Sequence, residues 1–501
     1  MRHLRFPVAA AVLIAASTHA TAQPAVPFAD AGVHAVQFID ASEGWAVGDD
    51  GVVWHSIDGG KTWERQKTGT RASLRGVHFL TPYTGWAVGR VESPCGGSSV
   101  GVMLRTTDGG ISWEEVGMNV LPGLNAVRFF DEKNGFLCGD GSDAFPSGMF
   151  TTADAGKTWR PVTGAKLPSC RGVDFFPGVR TGVIAGAWSH VGVVSQDGTY
   201  REAELDPLAG RSLHAVAISG SAGLTGATAY AAGDGGAVLS STDGGKTWGF
   251  VNLGLPPAAL AACDFRAVAC FGPHVWVAGK PGGIVLHSGD SGKTWDVQKT
   301  EVKVPINGVY FLTDKVGWMT GDLGCIFGTT DGGKTWATQR AGGQRAAVLC
   351  LTASHRAVPL DVVSTLGLGE GYLCASVGLM CADSATSDPK RAGDAARLRQ
   401  AMRLAGGATG DVSWAFPVAA HAAGLPPRDL LATWDRKHGG KAAEQLLRQA
   451  VCAIRTWQPE VILADMIDVD GPAAAALALH TAKEAFAKAA DPEAFPEQIT
   501  A

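Results

Sequence analysis

The octet STDGGKTW at residues 241–248 returns, with small changes, as SIDGGKTW at 56–63, TTDGGISW at 106–113, TADAGKTW at 152–159, SGDSGKTW at 288–295 and TTDGGKTW at 329–336. A worn copy, SQDGTY, stands at 195–200. The aspartates Asp58, Asp108, Asp154, Asp197, Asp243, Asp290 and Asp331 lie 41 to 50 residues apart, the length of a four-stranded propeller blade. Each unit repeats one grammar: an opening strand such as LRGVHF, a second such as GWAVG, a third running into the octet and a fourth after its Trp. The octet itself is turn chemistry. Asp and Ser or Thr accept bonds from turn amides, Gly supplies the positive φ, and the Trp is expected to drop its ring into the core. The fold class is therefore mainly β, a seven-bladed β-propeller over residues 30–340.

These octets resemble the Asp-box, or BNR, repeat. Together with GWAVG ahead of the box, the units are similar to the seven-bladed propellers of the photosystem II assembly and stability factor family. The resemblance implies that the boxes serve the fold and carry no chemistry. Sialidases share such boxes, but their chemistry also needs an arginine triad, a tyrosine nucleophile backed by an acid and an early Arg-Ile-Pro motif; here that motif is missing, tyrosine occurs only five times and no Tyr-Glu pairing stands out.

Composition agrees. The 501 residues include 67 Gly and 15 Trp, which favours tight turns and large packing anchors over helices. A net charge of -5 gives no bulk attraction to nucleic acid, and none is expected as a partner. Arg2 and Arg5 precede an apolar run and a small-residue site at Ala20 and Ala22, so residues 1–22 read as a signal peptide. Nothing later is long and apolar enough to span a bilayer, and the chain is expected to be exported, periplasmic or extracellular, in a bacterium. The ten cysteines lack ligand-like spacing and read as buried small side chains plus one or two bridges.

A propeller binds at its central opening. The second residue of each opening strand is polar or cationic: His34, Arg75, Asn125, Arg171, His214, Arg266 and Asn307. The fourth is always valine. Equal phase puts the seven on one ring, an electropositive collar suited to a protein partner or an anionic or glycan ligand. The alternative is that each ties its strand to the backbone of the next blade. His78 and Arg128, at the fifth position, would extend the collar on the other face.

From residue 345 to 501 the grammar changes to strands alternating with helices, an α/β (Rossmann-like) arrangement. Strands are expected at AAVLCLT (346–352) and EVILAD (460–465), and helices at 388–407, within GGKAAEQLLRQAVCAIRTWQP and within PAAAALALHTAKEAFAKAADP. The stretch resembles the PIG-L family of zinc-dependent de-N-acetylases, through LRQAMRLAGG, IRTWQPEVILAD and AFAKAADPEAFPEQI. That family holds zinc with a His-Pro-Asp-Asp turn and a later His. Here the turn reads SHRAVPLD and the later region VDGPAAAALALH, which leaves His355 as a weak metal candidate, with His421, His438, His480, Asp361 and Asp468 distant. The reading is a non-catalytic binding scaffold with a pseudo-deacetylase tail and no cofactor. An active zinc de-N-acetylase, gripping its substrate with the propeller, is the alternative.

Overall fold

The computed structural model describes residues 28–498 except 93–98, 118–120, 165–166, 168, 206–207, 209–210, 221–222, 224–225, 343–345, 383–392 and 466–472. The signal peptide, the Asp-Pro helix start at 388, Asp468 and Pro472 lie outside the described residues.

Each unit pairs its four strands antiparallel in sequence order, giving seven sheets around an axis. The opening strands are Val33–Phe38, Ser73–Phe79, Leu124–Phe129, Cys170–Phe175, Leu213–Ser219, Asp264–Phe271 and Ile306–Phe311. Blades 1 and 7 exchange no strand, so side chains close the ring. Asn307 and Tyr310 donate to the carbonyls of Val33 and Phe38, and Trp318 and Gln339 both donate to that of Gly59.

The packing anchors differ from the expectation. Within the propeller the wholly buried indoles are Trp45, Trp86, Trp276 and Trp318 of the second strands. Each stacks flat on the Phe that ends the next opening strand, Trp45 on Phe79 at 3.6 Å and, across the closure, Trp318 on Phe38 at 3.5 Å. Such stacking is worth about 1 kcal/mol beyond the buried area. The octet Trp63, Trp113, Trp159 and Trp336 are half-buried and meet the same Phe edge-on. These four lie outside the blade centre because their turns sit at the periphery, while the second strand runs through the middle of the sheet; Trp248 of the blade 5 octet, by contrast, is buried against blade 4 as expected. In the turn, the Asp58 carboxylate accepts from the Thr62 amide at 2.9 Å and hydroxyl at 2.7 Å, and the Gly60 amide donates to Ser56 Oγ at 2.8 Å. The same pattern recurs at Asp108, Asp154, Asp243, Asp290 and Asp331.

Beyond the blades, a four-stranded parallel sheet has the order Thr409–Val412, Cys374–Gly378, Val348–Thr352, Val461–Ala464. Helices Asp394–Leu404, Pro427–Asp435, Ala442–Trp457 and Ala473–Ala489 accompany it. Its core is continuous with that of blades 6 and 7: Trp276, Met319 and Leu323 belong to the same buried cluster as Leu349, Leu351 and Trp434. The nine described cysteines are all unbridged, contrary to the expected bridges; most are buried within strands or helices. Among the described residues, no helix is long and apolar enough to cross a membrane.

Candidate functional site: the roofed axial cavity

All seven collar residues line one cavity of about 1840 Å³ between the propeller's axial face and the parallel-sheet region. The sequence located them by strand phase; the structure shows a different cause. In every blade the ladder skips the collar residue, as where Val33 faces Gly48 and Ala35 faces Val47, with His34 left over. The same one-residue slip occurs at Arg75, Asn125, Arg171, His214, Arg266 and Asn307. A β-bulge bends the strand and re-aims the extra side chain, so the collar does not simply share the face of the valine two residues on.

A Gly opposite the slip in each second strand permits this. A methyl on Gly48, Gly139 or Gly233 would overlap the carbonyl oxygen of Gly32, Gly123 or Ser212. That same oxygen accepts from the amide of the next residue, Asp49, Asp140 or Asp234, at 2.7 to 3.0 Å.

Those following residues form a second ring, which the sequence reading missed. In order they are Asp49, Arg90, Asp140, Ala187, Asp234, Lys280 and Asp322. Where this position is Asp, in blades 1, 3, 5 and 7, the collar residue is His or Asn. Where it is not, in blades 2, 4 and 6, the collar residue is Arg. His34 lies 3.1 Å from Asp49, His214 2.6 Å from Asp234, and Asn307 donates to Asp322 at 2.8 Å. Each arginine then donates sideways: Arg75 to His34 Nδ1 at 3.4 Å, Arg171 to His214 Nδ1 at 2.8 Å and Arg266 to Asn307 Oδ1 at 3.0 Å. An Nδ1 that accepts assigns the proton of the neutral ring to Nε2, facing the aspartate. Burial, then Arg75, lowers the His34 pKa.

The collar is therefore not uniformly electropositive. Its aspartate ring offsets much of the charge, and Asn125 and Asn307 also bond the next blade's backbone at Cys170 and Val33. Full stitching of blade to blade belongs to the fifth position. There Gln37 pairs both ways with the Phe79 backbone, and His78 accepts from the Phe129 amide. His78 and Arg128 do not line the cavity, because the bulge puts them on the inter-blade face.

The roof is held by side chains. Asp411 accepts from Arg266 and from Lys280, both at 3.1 Å. Burial pushes its carboxyl up, but these two cations outweigh it and hold it well below the usual range. Arg403 reaches Asp49 at 3.3 Å and Asp50 at 3.2 Å, Trp414 Nε1 donates to Asp264 at 2.8 Å, and Gln400 donates to the Glu92 carbonyl at 2.7 Å.

His355 follows the Val348–Thr352 strand and lies 3.6 Å from Asp394. Asp465, ending the neighbouring strand, accepts from the Ala353 amide, and burial raises its pKa to about 6. No group of three or more metal-ligating side chains forms among the described residues. His438 instead donates from Nε2 to the Ala415 carbonyl at 3.1 Å and stacks on Phe416, so it does not join His355.

Fold and site together define a seven-bladed propeller with a polar axial binding cavity. The chain belongs to the family described as Photosynthesis system II assembly factor YCF48, which matches residues 15–162 and 222–367. The gap between the two segments covers blade 4, whose octet is the worn one. Among solved structures, "YCF48 bound to D1 peptide" is 21% identical over 63% of this chain and 99% of its own, with a TM-score of 0.48. YCF48 from Cyanidioschyzon merolae is 18% identical over 62% and 98%, at 0.47. The GH74 enzyme of Niastella koreensis shares the fold at 15% identity, over 66% of this chain and 56% of its own, at 0.50. No curated protein matches the chain.

Proposed function

We propose that this protein is an exported, non-catalytic binding or assembly scaffold that recognises a protein or anionic partner at its axial cavity. The observation that carries the reading is the convergence of all seven bulge residues on one roofed space. Membership in a family described as an assembly factor supports a protein partner. In this reading residues 30–340 are the propeller, and 345–501 a Rossmann-like, PIG-L-like domain that serves as a roof. The test is capture of partners from the exported fraction by the full chain and by an Arg75→Ala/Arg171→Ala variant. Loss of a specific partner in the folded variant is expected, and unchanged capture would refute the site. Arg266 is unsuitable for this test because it also anchors the roof.

A zinc de-N-acetylase remains the second reading, favoured by His355 beside Asp394 at the end of a parallel strand with Asp465 on the next. Stoichiometric zinc that is lost in His355→Ala would favour it.

A further inference from the structure

Some cations around the cavity are matched by carboxylates: Arg90 is bidentate on Asp140, Arg266 and Lys280 share Asp411, and Arg403 bridges Asp49 and Asp50. Of the other cations that line it, Arg211, Arg356, Arg397 and Lys437 enter no ion pair among the described residues, and neither do Arg75, Arg171 and Arg399, a trio close enough to feel one another's charge. They come from blade 2, blade 4 and the Asp394–Leu404 helix of the roof. They also repel one another: burial and then Arg399 lower the Arg75 pKa to about 9. Holding like charges together, half-buried, is unfavourable unless an anion compensates them.

Two further features face the same space. The first turn of the Asp394–Leu404 helix, from Gly393 to Ala396, lines it, and Gly393 provides no side-chain cap. Helix N-termini favour anions. Trp188 stands in the left-handed turn after the second strand of blade 4, with φ 62°, where blade 5 has Gly235. Its ring is 38% exposed and lines the cavity. A bulky residue at positive φ is strained, and strain of this kind collects at binding sites.

We propose that the cavity binds a small polyanion, a molecule carrying two or more carboxylate or phosphoryl groups, clamped between Arg75 and Arg171 below and Arg399 above, with Trp188 as its apolar wall. This deepens the scaffold reading and rests on the axial cavity being the recognition site. A small molecule is favoured over a polypeptide because the roof is tied down on several sides. The ligand would bridge roof and propeller and so tighten the roof.

The test is calorimetric titration of the full chain with pyrophosphate and with citrate, with maltose as neutral control. At least one polyanion should bind, more weakly as salt rises from about 0.05 to 0.3 M. Arg75→Gln, Arg171→Gln and Arg399→Gln should each weaken it about tenfold or more, without lowering the melting temperature. Absence of binding up to about 10 mM, equal binding by the triple variant, or variants that lose melting temperature while keeping affinity would each overturn the proposal. Partner capture is scored separately. Capture without polyanion binding sinks only this inference, and polyanion binding without capture sinks only the protein-partner reading.

Discussion

A bulge residue such as Arg171 has no opposite number in the ladder, and what keeps it there is a neighbour with no side chain. Gly139 is the clearest case, because any Cβ would meet the Gly123 carbonyl. Gly139→Ala should destabilise the protein by about 2 kcal/mol through overpacking. Gly249→Ala, with nothing within 4 Å, should be close to neutral in the same urea titration. The seven collar positions were legible because identical phase recurs in seven units. The bulge was not, since a one-residue slip leaves the order of residues unchanged and alters only pairing. The aspartate ring was available in the sequence, as the residue after GWAVG and its relatives, but its meaning depends on a lateral pairing that one blade alone does not contain.

Among elements, the octet forms a peripheral turn closed by its own hydrogen bonds, and that chemistry predicts an acid response. Bonds from Thr62, Ser112, Thr158 and Thr294 hold Asp58, Asp108, Asp154 and Asp290 at about 2. A carboxyl depressed in the folded state stabilises it above the unfolded pKa of about 4, and that contribution fades as pH falls towards the folded value. The melting temperature should therefore drop between about pH 4 and pH 2. Asp58→Asn, which removes one such carboxylate, should make the drop shallower in a pH series. In the later region, Ala442–Trp457 and Ala473–Ala489 were visible as apolar helices closed by Gln-Pro and Asp-Pro. The strand Cys374–Gly378 escaped because CASVG is short and small-sided, with neither alternation nor turn signals to set it apart. The second-strand tryptophans were visible in GWAVG but overshadowed by the octet Trp. Their flat contact with the next blade depends on a Phe 34 to 43 residues away in three blades and 280 away across the closure.

At the scale of the molecule, roof and propeller share both a buried cluster and charged ties, which no local pattern in the sequence foretold. Asp411 ties the roof to two cations of blade 6 at once. Asp411→Ala leaves Arg266 and Lys280 without their shared carboxylate and should cost about 3 to 5 kcal/mol, measured by chemical denaturation. Because blades 6 and 7 pack into the parallel sheet, calorimetry should show blades and roof melting in one transition.

Seven is an odd number, and an alternating pattern cannot close on it. Arginine and acid-paired positions take turns from blade 1 to blade 7, and then two acid-paired positions, Asn307 and His34, meet side by side. The rim thus has a front and a back despite near-equal blades. Parity thus denies the rim rotational equivalence even before the roof adds its own asymmetry.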